Sequence, residues 1–123
     1  MFPPENDEGN VEYKRHLCTQ ELKSIDKQYN VRFQQLVTQL KYRLNEGNGI
    51  AVYYIGVEDN GEIYNLSKEE RSESIVVLKK MILYLEAKID TIKIDTNYIM
   101  VVIKEGWRAN ILKEKRVLLL GDT

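Results

Sequence analysis

An α+β fold, a mixed β-sheet carrying two amphipathic helices, is what this sequence predicts, on three observations. Phe33, Leu36, Val37, Leu40 and Leu44 recur at three- and four-residue spacing, the stripe of a helix with one buried side. Ile75, Leu78, Ile82 and Leu85 repeat that spacing further on. Between them Ile50 to Val57 is almost wholly apolar and β-branched or aromatic, as expected of a central strand covered on both faces.

Taken in order, the opening MFPPENDEGN is acidic, polar and proline-bearing, so residues 1–10 are expected to be a flexible, exposed lead-in. Val11 to Leu17 alternates well enough for a strand with Val11, Tyr13, Arg15 and Leu17 on one face. Cys18 to Asn30 has weak periodicity and reads as a loop or short helical turn. The first helix is expected over Val31 to Glu46, with Asn30 as its cap and Gly47 and Gly49 beyond its end. After the central strand, Asp59-Asn60-Gly61 is turn chemistry, and Glu62 to Tyr64 returns as the second arm of a hairpin.

Ser67 and Glu70 have the spacing of a capping box at the head of the second helix. Ile89 to Ile94 and Tyr98 to Ile103 then form a late hairpin about Asp95-Thr96-Asn97. Trp107 to Leu112 is ambiguous, Trp107 serving either as a partner anchor or as a core ring. Val117 to Leu120 reads as a last short strand.

Size and composition bound the function. The chain has 123 residues, 43% of them hydrophobic and 30% charged, with 18 Lys and Arg against 19 Asp and Glu. One domain fits that length, and a formal net charge of -1 supplies no global field to recruit nucleic acid or anionic lipid. No apolar run approaches the roughly 20 residues of a membrane span, so no membrane partner is expected, and the single cysteine makes a reducing, cytoplasmic setting the expected location. Cys18 and His16 are the sole cysteine and histidine, which leaves no disulfide framework and too few soft ligands for a zinc site.

Candidate functional features are few. Arg116-Val-Leu-Leu-Leu-Gly121 has the form of a buried strand leading into a phosphate-binding loop, G-x-x-x-x-G-K-[ST], with Gly121 as its first glycine. The lysine and magnesium-binding hydroxyl of such a loop would lie past Thr123, so no complete cofactor site and no metal site are expected here. The other explanation is that Val117 to Leu120 simply closes this domain's own sheet. The basic pairs Lys14-Arg15, Lys41/Arg43 and Lys79-Lys80 and the cluster Lys113, Lys115, Arg116 would bind a phosphate backbone only if folded onto one face. Lys41, Arg43, Lys79 and Lys80 are explained as well by solvation of the polar sides of two helices.

The stretches EGNVEYKRHL, RFQQLVTQLKYRLNEGNGIAVYYIGVEDNG and KRVLLLGD resemble the amino-terminal region of the elongation-factor-Tu-like GTP-binding proteins, a translational GTPase group. The resemblance implies a lead-in over 1–10, an N-terminal α+β domain over 11–115, and the first strand of a following GTPase domain over 116–123. It implies a non-catalytic interaction module, with GTP and magnesium as cofactors of the parent protein. Its implied partners are the remainder of the GTPase, the ribosome, tRNA or mRNA-decay factors. No binding residue carries over.

A more distant resemblance links Glu12-Tyr13-Lys14 and Tyr54 to Gly61 to the two-layer Schlafen/AlbA-like domains, some of which cleave RNA through clustered carboxylates. It implies an alternative, a metal-dependent ribonuclease or RNA-binding domain. Asp7, Glu12 and either Glu58 or Asp59 would form its acidic cluster, since carboxylates of that kind hold a cation that positions a phosphate and activates water. Asp59-Asn60-Gly61 is equally accounted for by its turn.

Overall fold

The computed structural model describes residues 1–18 and 27–106. Six elements follow in order: β1 (Val11–Lys14), α1 (Lys27–Glu46), β2 (Ile50–Ile55), α2 (Lys68–Tyr84), β3 (Lys88–Ile94) and β4 (Ile99–Lys104). The strands form one mixed sheet in the order β1-β2-β4-β3. β1 runs parallel to β2, while β4 is antiparallel to both of its neighbours. The parallel pair requires a crossover, which α1 supplies. The expected α+β fold, with a mixed sheet and two helices, is the observed one.

Strand alternation decides where the core sits. Ala51, Tyr53 and Ile55 of β2 pair with Ile103, Val101 and Ile99 of β4, and all six are buried. They meet Leu36, Val37, Leu40 and Leu44 of α1 and Val77, Leu78, Met81 and Ile82 of α2 in one cluster. The buried stripe of α2 thus runs through Val77 and Met81 as well as Leu78 and Ile82. Ile75 and Leu85, expected within it, are only partly buried against it. Both helices lie on this side of the sheet. The opposite side, holding Val52, Tyr54, Met100 and Val102, carries no helix among the described residues and stays half-buried. β2 is central as expected, but it is covered by helices on one face only.

Local chemistry explains most of the boundaries. Ser67 Oγ accepts from the Glu70 N–H at 3.1 Å, and Glu70 Oε1 accepts from the Ser67 N–H at 3.0 Å, so the capping box is complete. β2 ends at Gly56, whose φ of +97° turns the chain out of the sheet. The chain then closes a small turn in which Val57 bridges Ile63 and the Glu58 N–H donates to Glu62 at 2.8 Å. The second arm of the expected hairpin is this single bridge.

Three other expectations are corrected. Helix α1 begins at Lys27, so Asn30 lies inside it and does not cap it. β1 stops at Lys14 without reaching Leu17. Residues 1–10 are not a free lead-in: the Phe2 N–H donates to the Gly61 carbonyl at 3.0 Å and the Glu5 N–H to the Asp59 carbonyl at 2.7 Å. Polar side chains of this segment remain largely exposed, but Phe2 and the backbone are tied to the domain, a contribution that composition does not register. Most of the stretch between Cys18 and Asn30, the segment Trp107 to Leu112, the strand Val117 to Leu120, the basic cluster Lys113 to Arg116 and Gly121 lie outside the described residues. Among the described residues no helix is long and apolar enough to cross a membrane.

Candidate functional site

The N-terminal strap, residues 1–10, crosses the end of β1 and the turn between Val57 and Ile63, and a polar node beneath it fixes its course. Glu12 lies on the helix-covered face of β1, beside Tyr53 of β2. There Arg43 of α1 donates from Nε to Glu12 Oε1 at 2.9 Å. The rest of the guanidinium turns to the strap, donating to the carbonyls of Gly9 at 2.8 Å, Asn6 at 3.0 Å and Asp7 at 3.4 Å. Arg43 is 3% exposed and Glu12 7%. The expectation that Arg43 is a solvated residue on the polar side of its helix is therefore overturned. Lys14 Nζ sits 3.7 Å from the other Glu12 oxygen and donates to Gln39 at 2.6 Å.

Glu5 is the member of this node that sequence reasoning missed. Its carboxylate accepts from the Tyr13 N–H and lies close enough to Glu12 to feel its charge. Burial first, then the charges of Glu12 and Asp59, push its carboxyl up to about 6, against the lowering effect of the Tyr13 N–H. Two carboxyls in contact favour retention of a proton between them. Tyr53 stands against the same node with no exposure and with its hydroxyl unpartnered among the described residues. Burial raises its pKa further above the usual tyrosine range.

Of the residues proposed for a carboxylate centre, Glu12 alone is in the node by its own carboxylate. Asp7 contributes its backbone carbonyl to Tyr42 and Arg43. Asp59 contributes its carbonyl to Glu5 and its charge to the Glu5 environment. Glu58 accepts from Arg15 Nε at 2.8 Å. Among the described residues no three His, Cys, Asp or Glu side chains are grouped to hold a metal ion. The arrangement is that of a structural clamp, because Glu12 is engaged by Arg43 and flanked by Lys14.

His16 lies apart from this node, 2.6 Å from Glu73 through Nε2 and 3.7 Å from Glu70 through Nδ1. The adjacent Leu17 N–H donates to Ser74 Oγ at 3.0 Å. Glu73 and Glu70 are carboxylate neighbours that chain order alone does not reveal. They tie the end of β1 to α2.

Gly56 and Gly61 have the glycine spacing of a phosphate-binding loop, yet Glu62 and Ile63 stand where its lysine and hydroxyl residue are required. Glu58, Asp59 and Glu62 would repel phosphate at that turn.

On the side of the sheet without helices, Phe2 packs over tyrosines. Its ring centroid is 4.9 Å from that of Tyr54, 5.1 Å from Tyr98 in an edge arrangement, and 6.2 Å from Tyr13. Tyr13 also donates its hydroxyl to the Pro3 carbonyl at 2.8 Å. The strap is thus held by a buried guanidinium on one side of the sheet and by an aromatic ring on the other.

The chain is 49% identical over 80 residues to GTP-binding protein 2 of mouse and, to the same extent, of human. That match covers 65% of this chain and 12% of the mammalian proteins. It is also 30% identical over 114 residues to the uncharacterized protein R625 of Acanthamoeba polyphaga mimivirus, covering 92% of this chain and 57% of the viral one. The chain therefore spans only a minor part of GTP-binding protein 2 and little more than half of the viral protein. No family model matches it, and no solved structure does.

Proposed function

We propose that this chain is a non-catalytic interaction module of a GTP-binding protein of the translational type, acting by binding and positioning. The observation that carries this reading is the 49% identity to GTP-binding protein 2 over 80 residues. The two kinds of relative support a separable unit. The similar segment is a small fraction of GTP-binding protein 2, whereas in the viral protein less chain lies outside the match than within it. A domain found in proteins of such different length behaves as a module with its own core.

The test uses the purified chain and GTP-binding protein 2 lacking its matched segment. Titration of the chain with fluorescent GTP and magnesium is expected to give no saturable binding at micromolar concentrations. The chain is expected to associate with the shortened GTP-binding protein 2. Saturable GTP binding by the chain alone, or failure of the two proteins to associate, would overturn the proposal.

A further inference from the structure

The side of the sheet that carries no helix among the described residues also carries three lysines. Strand register places Tyr54, Met100 and Lys93 in one row across β2, β4 and β3, and Ile50, Lys104 and Lys88 in another. Lys88 and Lys93 are exposed, and the Lys104 side chain is 42% exposed. Asp90, 3.3 Å from Lys104 and also near the charge of Lys88, offsets one of these three charges. The carboxylates of Glu58, Asp59, Glu62, Glu69, Glu70 and Glu73 belong instead to the turn after β2 and the start of α2. A net charge of -1 for the whole chain therefore conceals a basic, aromatic face.

We propose that this open face binds single-stranded RNA. Phe2 covers part of Tyr54 and Tyr98, and the three half-buried rings together leave an aromatic surface on this face on which an unpaired base can stack. A strand laid along β3 puts its phosphates over Lys88, Lys93 and Lys104. Its bases turn inward across Met100 toward Tyr54, roughly 10 Å away at two strand spacings. Asp90 would repel phosphate, but its carboxylate, joined to the Thr91 hydroxyl at 3.1 Å, accepts a hydrogen bond from a ribose 2′-hydroxyl. That group separates RNA from DNA. A duplex hides its base faces and cannot use Tyr54. The proposal rests on this face alone and holds whichever larger protein the domain serves.

The test is fluorescence anisotropy of a labelled twelve-nucleotide oligouridine RNA titrated with the whole chain. Saturable binding at micromolar concentrations is expected in 50 mM salt. With three phosphates neutralised, affinity should fall about 18-fold on raising salt to 200 mM. Lys93→Glu, an exposed change that leaves the circular dichroism intact, should weaken binding about tenfold. Tyr54→Leu should weaken it by a similar factor in both salt conditions. Absence of binding in 50 mM salt, wild-type affinity in Lys93→Glu, or equal affinity for duplex RNA or for DNA of the same sequence would each overturn the proposal. So would a dimer in analytical ultracentrifugation that Lys93→Glu dissociates, because a second copy would then occupy the face. None of these outcomes bears on GTP binding, so this proposal and the GTPase relationship fail separately.

Discussion

The guanidinium of Arg43 donates to Glu12 at 2.9 Å and, with its remaining nitrogens, to the Asn6, Asp7 and Gly9 carbonyls of the N-terminal strap. One side chain of α1 thus joins a helix, an edge strand and a segment with no regular structure of its own. The pairing is compulsory in a physical sense: Glu12 faces the helix layer, and an unpaired carboxylate there would be strongly unfavourable.

Replacing Arg43 should therefore cost far more than a surface arginine does. Arg43→Met strands Glu12 and removes the donors to Asn6, Asp7 and Gly9, for an expected loss of about 3–5 kcal/mol. Arg43→Met combined with Glu12→Leu should recover a large part of that loss, since neither charge is then buried. Urea denaturation followed by circular dichroism measures both. Additive losses in the double variant would mean that the two residues act independently.

Glu5 sets a pH dependence of definite sign. Its folded pKa of about 6 lies above the ordinary 4.5, so between those values the folded chain binds the proton more tightly than the unfolded chain. The stabilisation from this group is complete below about pH 4.5 and is lost as pH rises through 6. Glu5→Gln should be more stable than the wild type at pH 7 and should lose that advantage by pH 4.5. Solvent access to Glu5 keeps the difference small, on the order of 1 kcal/mol. Melting curves of both proteins across this range provide the comparison, in which the other carboxylates cancel. An advantage that grew as the pH fell would have the wrong sign.

How much of this was legible in the chain follows from the same residues. The helix stripes and the Ser67–Glu70 box are local patterns, and local patterns survive folding. Arg43 was not legible, because a basic residue beside an apolar stripe ordinarily solvates, and only the arrival of residues 6–9 from across the fold reverses that. Glu5 escaped for a related reason: a proline-rich acidic segment has no core of its own, yet it can borrow one. The run Ile50 to Ile55 suggested cover on both faces because Val52 and Tyr54 are as apolar as the residues that α1 and α2 bury. Tyr54 finds Phe2 instead of a helix.

Gly61 is where the strap is admitted. Its φ is +92°, and a Cβ there would collide with the backbone carbonyl of Phe2. Gly61→Ala should expel the start of the strap while leaving the α1, α2 and sheet core folded, at a cost of about 1–3 kcal/mol. Gly9→Ala is the control: its φ is +89°, but nothing lies within 4 Å of an added Cβ, so it carries the conformational cost alone. Amide exchange at Phe2 and Glu5 distinguishes them, with faster exchange expected in Gly61→Ala only. Equal protection in the two variants would show that the contact with Phe2 does not matter.

Tyr53 offers the converse case, a polar atom whose removal should help. Its ring is wholly buried between the sheet and α1, and its hydroxyl, beside Glu12 and Arg43, has no hydrogen-bond partner among the described residues. Leaving a buried hydroxyl unpaired costs about 1–3 kcal/mol, while the ring supplies the packing. Tyr53→Phe keeps the ring and deletes the unpaired group, so it should leave stability unchanged or raise it by about 1 kcal/mol. Tyr53→Ala should lose about 3–5 kcal/mol by opening a cavity in the core beside its strand partner Val101. Urea denaturation of the two variants separates the contributions of ring and hydroxyl. A loss in Tyr53→Phe of more than about 1 kcal/mol would mean that the hydroxyl is satisfied in solution, by a bridging water that also serves Glu12.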